Sequence, residues 1–306
     1  LQNNTLNVKQ VMLSGLGLKS TLSAKVENLS EEPKIEGEFA TNTVNLKKIV
    51  KNLGLPPLKT SNKKALTKVN FSTQFSASAN TLNIQNISSS IDSTSLQGHI
   101  AVSNFKKPKI NAAFDIDRIN VDEYLAPVSR TKKKRQKKDT RAKKRKGAKT
   151  ARKDNNKVNA ALINDDVLNL VRTLDMTANL SISDLLISGA KIENIRANFE
   201  AKEGLIRLDP ITANLYGGQY VGSGALDARK RKPELTIANS LSNVSLGSVF
   251  AETTQLDLLN GALDLDSTIK TKGSTGPILL KELNGDATFS VKKGSIKGIN
   301  SDRLLR

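Results

Sequence analysis

The side chains able to do chemistry are few in this chain, and their spacing argues against catalysis. One histidine, His99, sits in the run Leu96-Gln97-Gly98-His99-Ile100, and there is no cysteine. Without thiolates and with a single imidazole, the usual transition-metal ligand sets and the Ser-His-Asp or Cys-His relays cannot be assembled. His99 therefore reads as an ordinary strand residue. Two carboxylate pairs, Asp115 with Asp117 and Asp264 with Asp266, stand two residues apart and would share one face of a strand. Such pairs can cleave glycosidic bonds, but each alternates with apolar residues, as the wet face of an amphipathic strand does. Gly217-Gly218 with Gly222 and Gly224 lacks the spacing of a phosphate loop or dinucleotide turn and reads better as a hairpin with close backbone packing. No enzymatic activity, metal or cofactor is expected.

The formal net charge of +19 suggests a polyanion partner until it is localised. Residues 130–157 carry 16 of the 48 Lys/Arg against only Asp139 and Asp154, so +14 of the charge belongs to one segment. That segment could hold anionic lipid head groups or nucleic-acid phosphates, or serve only as a solvated spacer. Specific nucleic-acid recognition is disfavoured, because the chain has 8 Phe, 3 Tyr and no Trp, and the basic run has no aromatic on which a base could stack.

The rest of the chain is built from elements that position apolar residues. Val69, Phe71, Phe75 and Ala77 alternate with polar residues, as do Ile195, Ala197, Phe199 and Ala201, and then Leu263, Leu265 and Ile269. Period-two alternation broken by Gly, Asn and Ser predicts half-buried antiparallel strands. Lys202-Glu203-Gly204 and Lys292-Lys293-Gly294 read as hairpin turns. Three stretches share one grid of apolar positions, beginning at Pro33, Pro108 and Pro233, and each is preceded by a similar unit: Thr5-Leu6-Asn7-Val8, Thr81-Leu82-Asn83-Ile84 and Leu205-Ile206-Arg207-Leu208. Short helices are expected at the same place in each copy, over Leu46–Leu53 capped by Asn45, Val121–Leu125, and Leu246–Ala251 capped by Ser245. A longer helix is expected over Asn159–Leu174.

The predicted architecture is mainly β: an elongated, curled antiparallel sheet of repeats of about 75 residues. Residues 1–128 form a first β-region of two repeats, 129–157 a disordered Lys/Arg-rich linker, and 158–306 a second β-region led by a helix. No apolar run reaches the ~18–20 residues of a membrane span. With neither an initiator Met nor a signal-peptide pattern, the chain reads as a segment of a longer protein.

The second half resembles the AsmA family of Gram-negative envelope proteins. The resemblance is carried by Ile187-Ser188-Gly189-Ala190-Lys191-Ile192-Glu193-Asn194, then Leu215-Tyr216-Gly217-Gly218, Gly222-Ser223-Gly224 and Asp227-Ala228-Arg229. Leu283-Asn284-Gly285-Asp286-Ala287 and Gly294-Ser295-Ile296-Lys297-Gly298-Ile299-Asn300 continue it, and Phe114-Asp115-Ile116-Asp117 fits more loosely. The basic insert departs from the family pattern. The resemblance implies a periplasmic body held to the inner membrane by an N-terminal anchor outside this sequence. It also implies a role in phospholipid movement and outer-membrane homeostasis, with acyl chains as the partner.

The residues fit that implication. Moving one sixteen-carbon chain through water costs ~12 kcal/mol at about 0.8 kcal/mol per methylene, and a continuous apolar path removes most of that barrier. The expected groove residues are Phe71, Phe75, Ile84, Ile110, Phe114, Ile195, Phe199, Leu208, Leu235, Ile237, Leu265, Ile269 and Phe289. Alternation identifies a buried face but not what covers it, so the same residues could instead fill a closed β-core. Two other readings compete with the conduit: a scaffold modulating outer-membrane protein assembly, and a basic-segment protein adhering to anionic glycolipid or nucleic acid.

Overall fold

The computed structural model describes residues 4–126, 165–254 and 259–296. Its elements in chain order are β1 (Leu6–Gly15), β2 (Leu18–Glu27), β3 (Lys34–Thr41), α1 (Leu46–Asn52), β4 (Val69–Ala77), β5 (Thr81–Ile91), β6 (Thr94–Ser103), β7 (Lys109–Asn120) and α2 (Val121–Tyr124). Then come α3 (Asp165–Thr173), β8 (Asp175–Ile187), β9 (Ala190–Lys202), β10 (Leu205–Leu215), β11 (Gly218–Asp227), β12 (Glu234–Ser245), α4 (Leu246–Thr254), β13 (Leu259–Lys272), α5 (Gly276–Lys281) and β14 (Asn284–Ile296).

Among the described residues all strands join one 14-stranded sheet in which spatial order equals chain order, from β1 at one edge to β14 at the other. The sheet does not close. Fourteen strands exceed the ~10 beyond which a twisted open sheet curls, splits or flattens. Consecutive strands meet through tight hairpins where the sequence supplies positive φ. Leu16-Gly17, Ser188-Gly189, Glu203-Gly204 and Tyr216-Gly217 each place two left-handed residues in the turn, the requirement of a two-residue type I′ connection.

The expected all-antiparallel pairing fails at one seam. β7 and β8 run parallel, with Ile110 opposite Met176 and Phe114 opposite Leu180. A parallel pair cannot be joined by a hairpin, because the chain must return the length of a strand before re-entering the sheet. Here α2 follows β7 at one rim and α3 leads into β8 from the opposite rim. The expected 129–157 linker falls within that connection and lies outside the described residues. The seam also sets polarity. β12 lies five strands after β7, and one parallel step keeps α4 on the same rim as α1 and α2. Asp122 of α2 clips the seam, accepting from the backbone N–H groups of Ser188 (2.7 Å) and Gly189 (3.0 Å) in the β8–β9 turn.

The grid of apolar positions corresponds to real elements. The three proline-led stretches become β3 with α1, β7 with α2 and β12 with α4. Asn45 caps α1 by accepting from the N–H of Lys48 (3.0 Å), and Ser245 Oγ accepts from that of Ser248 (3.3 Å). The preceding units become the first halves of β1, β5 and β10, and each ends at a β-bulge: between Val8 and Val11, Ile84 and Ile87, and Leu208 and Ile211. One extra residue bends the strand. It also returns the next apolar side chain to the face that a simple count would have sent it away from.

One local expectation needs correction. Lys292-Lys293-Gly294 is no hairpin turn: it lies inside β14, where Lys293 takes φ +52°. That single left-handed residue accompanies the register shift opposite Asn260 and Ala262. The described helix before β8 begins at Asp165, and the earlier part of the expected Asn159–Leu174 helix lies outside the described residues. Helix α5, with Pro277 in its first turn, was not anticipated. Packing is concentrated where helices meet strand ends. The buried cluster is Leu168 and Val171 of α3 with Ala228, backed by Ile206.

Candidate functional site

Cross-strand register shows which side chains share a face, since directly paired residues project to the same side. Starting at Val8 and stepping one strand at a time, the partners are Ala24, Gly37, Phe75, Ile84, Ile100 and Ala112. The path then continues through Ala178, Phe199, Leu208, Gly224, Ile237, Ile269 and Gly285. One residue comes from each of the fourteen strands, and none has a polar side chain. At roughly 4.8 Å per step the row is about 60 Å long.

The neighbouring row, one residue further along each strand, belongs to the other face. It reads Asn7, Lys25, Glu36, Ser76, Asn83, Ala101, Asn111, Thr177, Glu200, Arg207, Ala225, Thr236, Lys270 and Asn284. Asp115, Asp117, Asp264 and Asp266 share this wet face. Asp117 accepts from the N–H of Ser95 (2.7 Å), while Asp264 pairs with Lys292 (2.7 Å), which holds its carboxyl below the usual range.

All thirteen sequence-predicted groove residues fall on the apolar face. Phe75, Ile84, Phe199, Leu208, Ile237 and Ile269 lie in the unbroken row. Ile110 and Leu235 stand in the row on one side of it. Phe114 lies in the adjacent row on the other side, and Phe71, Ile195, Leu265 and Phe289 lie one row beyond that. Twelve of the thirteen are half-buried, and Phe289, on the edge strand, is 71 % exposed. Among the described residues no second layer covers this face, and the helices meet the sheet at its rims: α1 at Leu16, α2 at Ser188, α3 at Ala228, α4 at Leu259 and Asn260, and α5 at Thr271. The alternative of a solid, closed β-core is not what the described residues form.

The face is smoothed by aromatic rings laid over glycines. A Cβ on Gly37 would fall 2.6 Å from the Phe75 ring, and one on Gly98 would fall 2.6 Å from the Phe114 ring. Phe39 and Phe71 add a tilted pair with centroids 6.2 Å apart.

The motif residues do a different job, one the sequence alone did not reveal. Tyr216-Gly217 is the β10–β11 turn, and Gly218 is bare because Ser242 O and Val244 N would lie 2.5 and 2.7 Å from a Cβ there. Leu215, opposite Gly218 and Ile192, sits on the apolar face beside the turn. Burial, followed by the charge of Glu252 on α4, pushes the Tyr216 phenol up. Asp227-Ala228-Arg229 forms the seat of α3. Ala228 is fully buried, its carbonyl accepts from Arg172 Nε (2.8 Å), and Asp227 accepts from Arg229 through Nε (2.9 Å) and Nη2 (2.6 Å). The Arg229 hydrogen bonds hold the Asp227 carboxyl down to about 2.

His99 stands on the wet face in β6, beside Ala113. Among the described residues no cluster of three or more His, Cys, Asp or Glu could hold a metal ion, and no helix is long and apolar enough to cross a membrane.

The model of the AsmA family matches residues 4–306, essentially the whole chain, and the protein belongs to that family. Neither curated proteins nor solved structures contain a match.

Proposed function

From that membership as premise, we propose that the chain is a non-enzymatic segment of a Gram-negative envelope protein that carries phospholipid acyl chains along its apolar face. The observation that carries the reading is the fourteen-residue row without a polar side chain, which among the described residues has helices at the rims of the sheet and none across it. An acyl chain lying across the strands meets hydrocarbon at every step, so the ~12 kcal/mol cost of hydrating sixteen carbons is largely avoided. The head group stays in water at the open side. Such a surface needs no reactive residue and tolerates exchange among Val, Ile, Leu and Phe. In the full-length protein the body stands in the periplasm, held to the inner membrane by an anchor outside this sequence, and supports outer-membrane homeostasis.

The test is whether lipid travels with the protein. The purified chain analysed by mass spectrometry should release phospholipid, and the delipidated chain should extract labelled phospholipid from vesicles. A chain that neither retains nor extracts lipid ends this reading. One observation favours a second role. Among the described residues β14 is an edge strand, every residue of it is exposed and it contains no proline, so that edge can accept a further strand. This suits a scaffold that engages outer-membrane proteins during assembly. Capture of a β-strand peptide by lipid-free protein, with no lipid uptake, would favour that role over the conduit.

A further inference from the structure

The apolar face carries one patch that its own design rules do not explain. Position six of the proline-led grid is Phe39 in the first copy and Phe114 in the second, but Asn239 in the third. Phe114 pairs with Gly98 and its ring fills the space above that glycine. Asn239 pairs with the equivalent Gly222, and there the ring of Tyr220 covers the glycine instead. Tyr220 donates its hydroxyl to Asn239 Oδ1 (2.8 Å), and Asn239 Nδ2 donates to Ser267 Oγ (3.3 Å). Three polar side chains thus replace hydrocarbon on three consecutive strands, immediately beside the unbroken row at Gly224, Ile237 and Ile269.

Placing polar groups on an apolar surface is unfavourable unless their hydrogen bonds are met. At two other points on this face hydroxyls are consumed by nearby backbone. Thr73 donates to Gln85 O (2.8 Å) and Ser89 to Asn70 O (2.8 Å). The Tyr220–Asn239–Ser267 chain differs because it leaves donors over. An amide nitrogen has two hydrogens and only one is used within the trio, while the Ser267 hydroxyl accepts and remains able to donate. Spare donors beside a hydrocarbon path fit a ligand whose apolar chains carry an acceptor and no donor.

We infer that Tyr220, Asn239 and Ser267 form a docking point for the ester carbonyls of a diacyl lipid, setting where the glycerol backbone pauses while its acyl chains lie on the apolar row. This rests on the lipid-carrying reading above and adds a location and a chemistry to it. Asn239 and Ser267 present the donors, and Tyr220 is a positioning residue that orients the Asn239 amide.

The experiment offers the 306-residue chain vesicles containing equal amounts of diester phosphatidylethanolamine and its diether analogue, which keeps the chains and head group but lacks the carbonyls. Bound lipid is then counted by mass spectrometry. The wild-type chain should take up the diester about three- to tenfold in preference, the range expected for one or two net hydrogen bonds. Asn239→Leu and Asn239→Phe, the latter restoring the residue of the second copy, should bring the ratio to about one while total uptake persists. Tyr220→Phe should lower the preference partly, and Ser89→Ala should leave it unchanged. Equal uptake of the two lipids by the wild-type chain, or an unchanged preference in a folded Asn239 variant, overturns the docking point and leaves the conduit standing. No uptake of either lipid by the wild-type chain overturns both.

Discussion

Two adjacent rows of residues, one step apart along every strand, separate the two faces of this sheet. One runs from Val8 to Gly285 through fourteen strands without a polar side chain, while the other runs from Asn7 to Asn284 and is polar at all but Ala101 and Ala225. A soluble protein would normally bury the first kind of row beneath a second layer. Here, among the described residues, it lies mostly half-buried with no second layer over it. The wet row faces solvent, and in the proposed function the dry row is the one that meets acyl chains.

The sharpest way to break that contrast is to put the same charge on either side of one strand. Ile237→Asp places a carboxylate in the dry row and should reduce phospholipid extraction from vesicles on the order of a hundredfold, since an unpaired charge against hydrocarbon costs several kcal/mol. Thr236→Asp, its neighbour in the wet row, should change extraction by less than about twofold. Similar losses in both variants would mean that the faces do not have separate roles.

A second comparison sets two glycines of the apolar face against each other. Gly218→Val drives a side chain into the Ser242 and Val244 backbone and should lower stability by about 2 kcal/mol in thermal unfolding. At Gly224 the nearest neighbour of an added Cβ is Thr236 O at 4.0 Å. Gly224→Ala should therefore stay within about 0.5 kcal/mol of the parent. The motif glycine is held by backbone contact, whereas nothing crowds the row glycine.

Both rows depend on phase being kept across the parallel seam. Asp122→Ala removes the acceptor for two backbone N–H groups of the β8–β9 turn and should cost about 1.5 kcal/mol, with hydrogen exchange accelerated at Ser188 and Gly189. The smallest expected effect is an acid one at the seat of α3. The Asp227 carboxyl titrates at about 2 when folded, below its ordinary 3.8. Its contribution is complete above the ordinary value and fades as pH falls from about 4 toward 2. Amide protection of Ala228 should decline over that window, and Arg229→Ala should move the Asp227 titration upward and abolish the decline.

Much of this was legible in residue types. Alternation at Phe71 and Phe75, at Ile195 and Phe199, and at Leu265 and Ile269 places each on the apolar face because a strand has period two. Caps at Asn45 and Ser245 announced their helices through short polar side chains. The bulges were harder to read, although their trace was present as apolar pairs three apart: Val8 and Val11, Ile84 and Ile87, Leu208 and Ile211, Leu241 and Val244. The Lys293 kink and the hairpin turns use the same left-handed backbone, so local composition could not tell a bulge from a reversal.

Residue order alone determined which side chains share a face within each regular run, because a pleated strand alternates. Across a bulge only the pairing restored the face. Residue order also determined that no thiolate or imidazole cluster exists to support metal or nucleophilic chemistry. Tertiary structure decided the remainder. Only pairing could show that β7 meets β8 in parallel and that one apolar residue from every strand aligns into a single row. It also showed that Asn239 interrupts the neighbouring row beside Tyr220 and Ser267. The physical reason is that register is a relation between strands, set by the hydrogen bonds they exchange, which the sequence of no single strand contains.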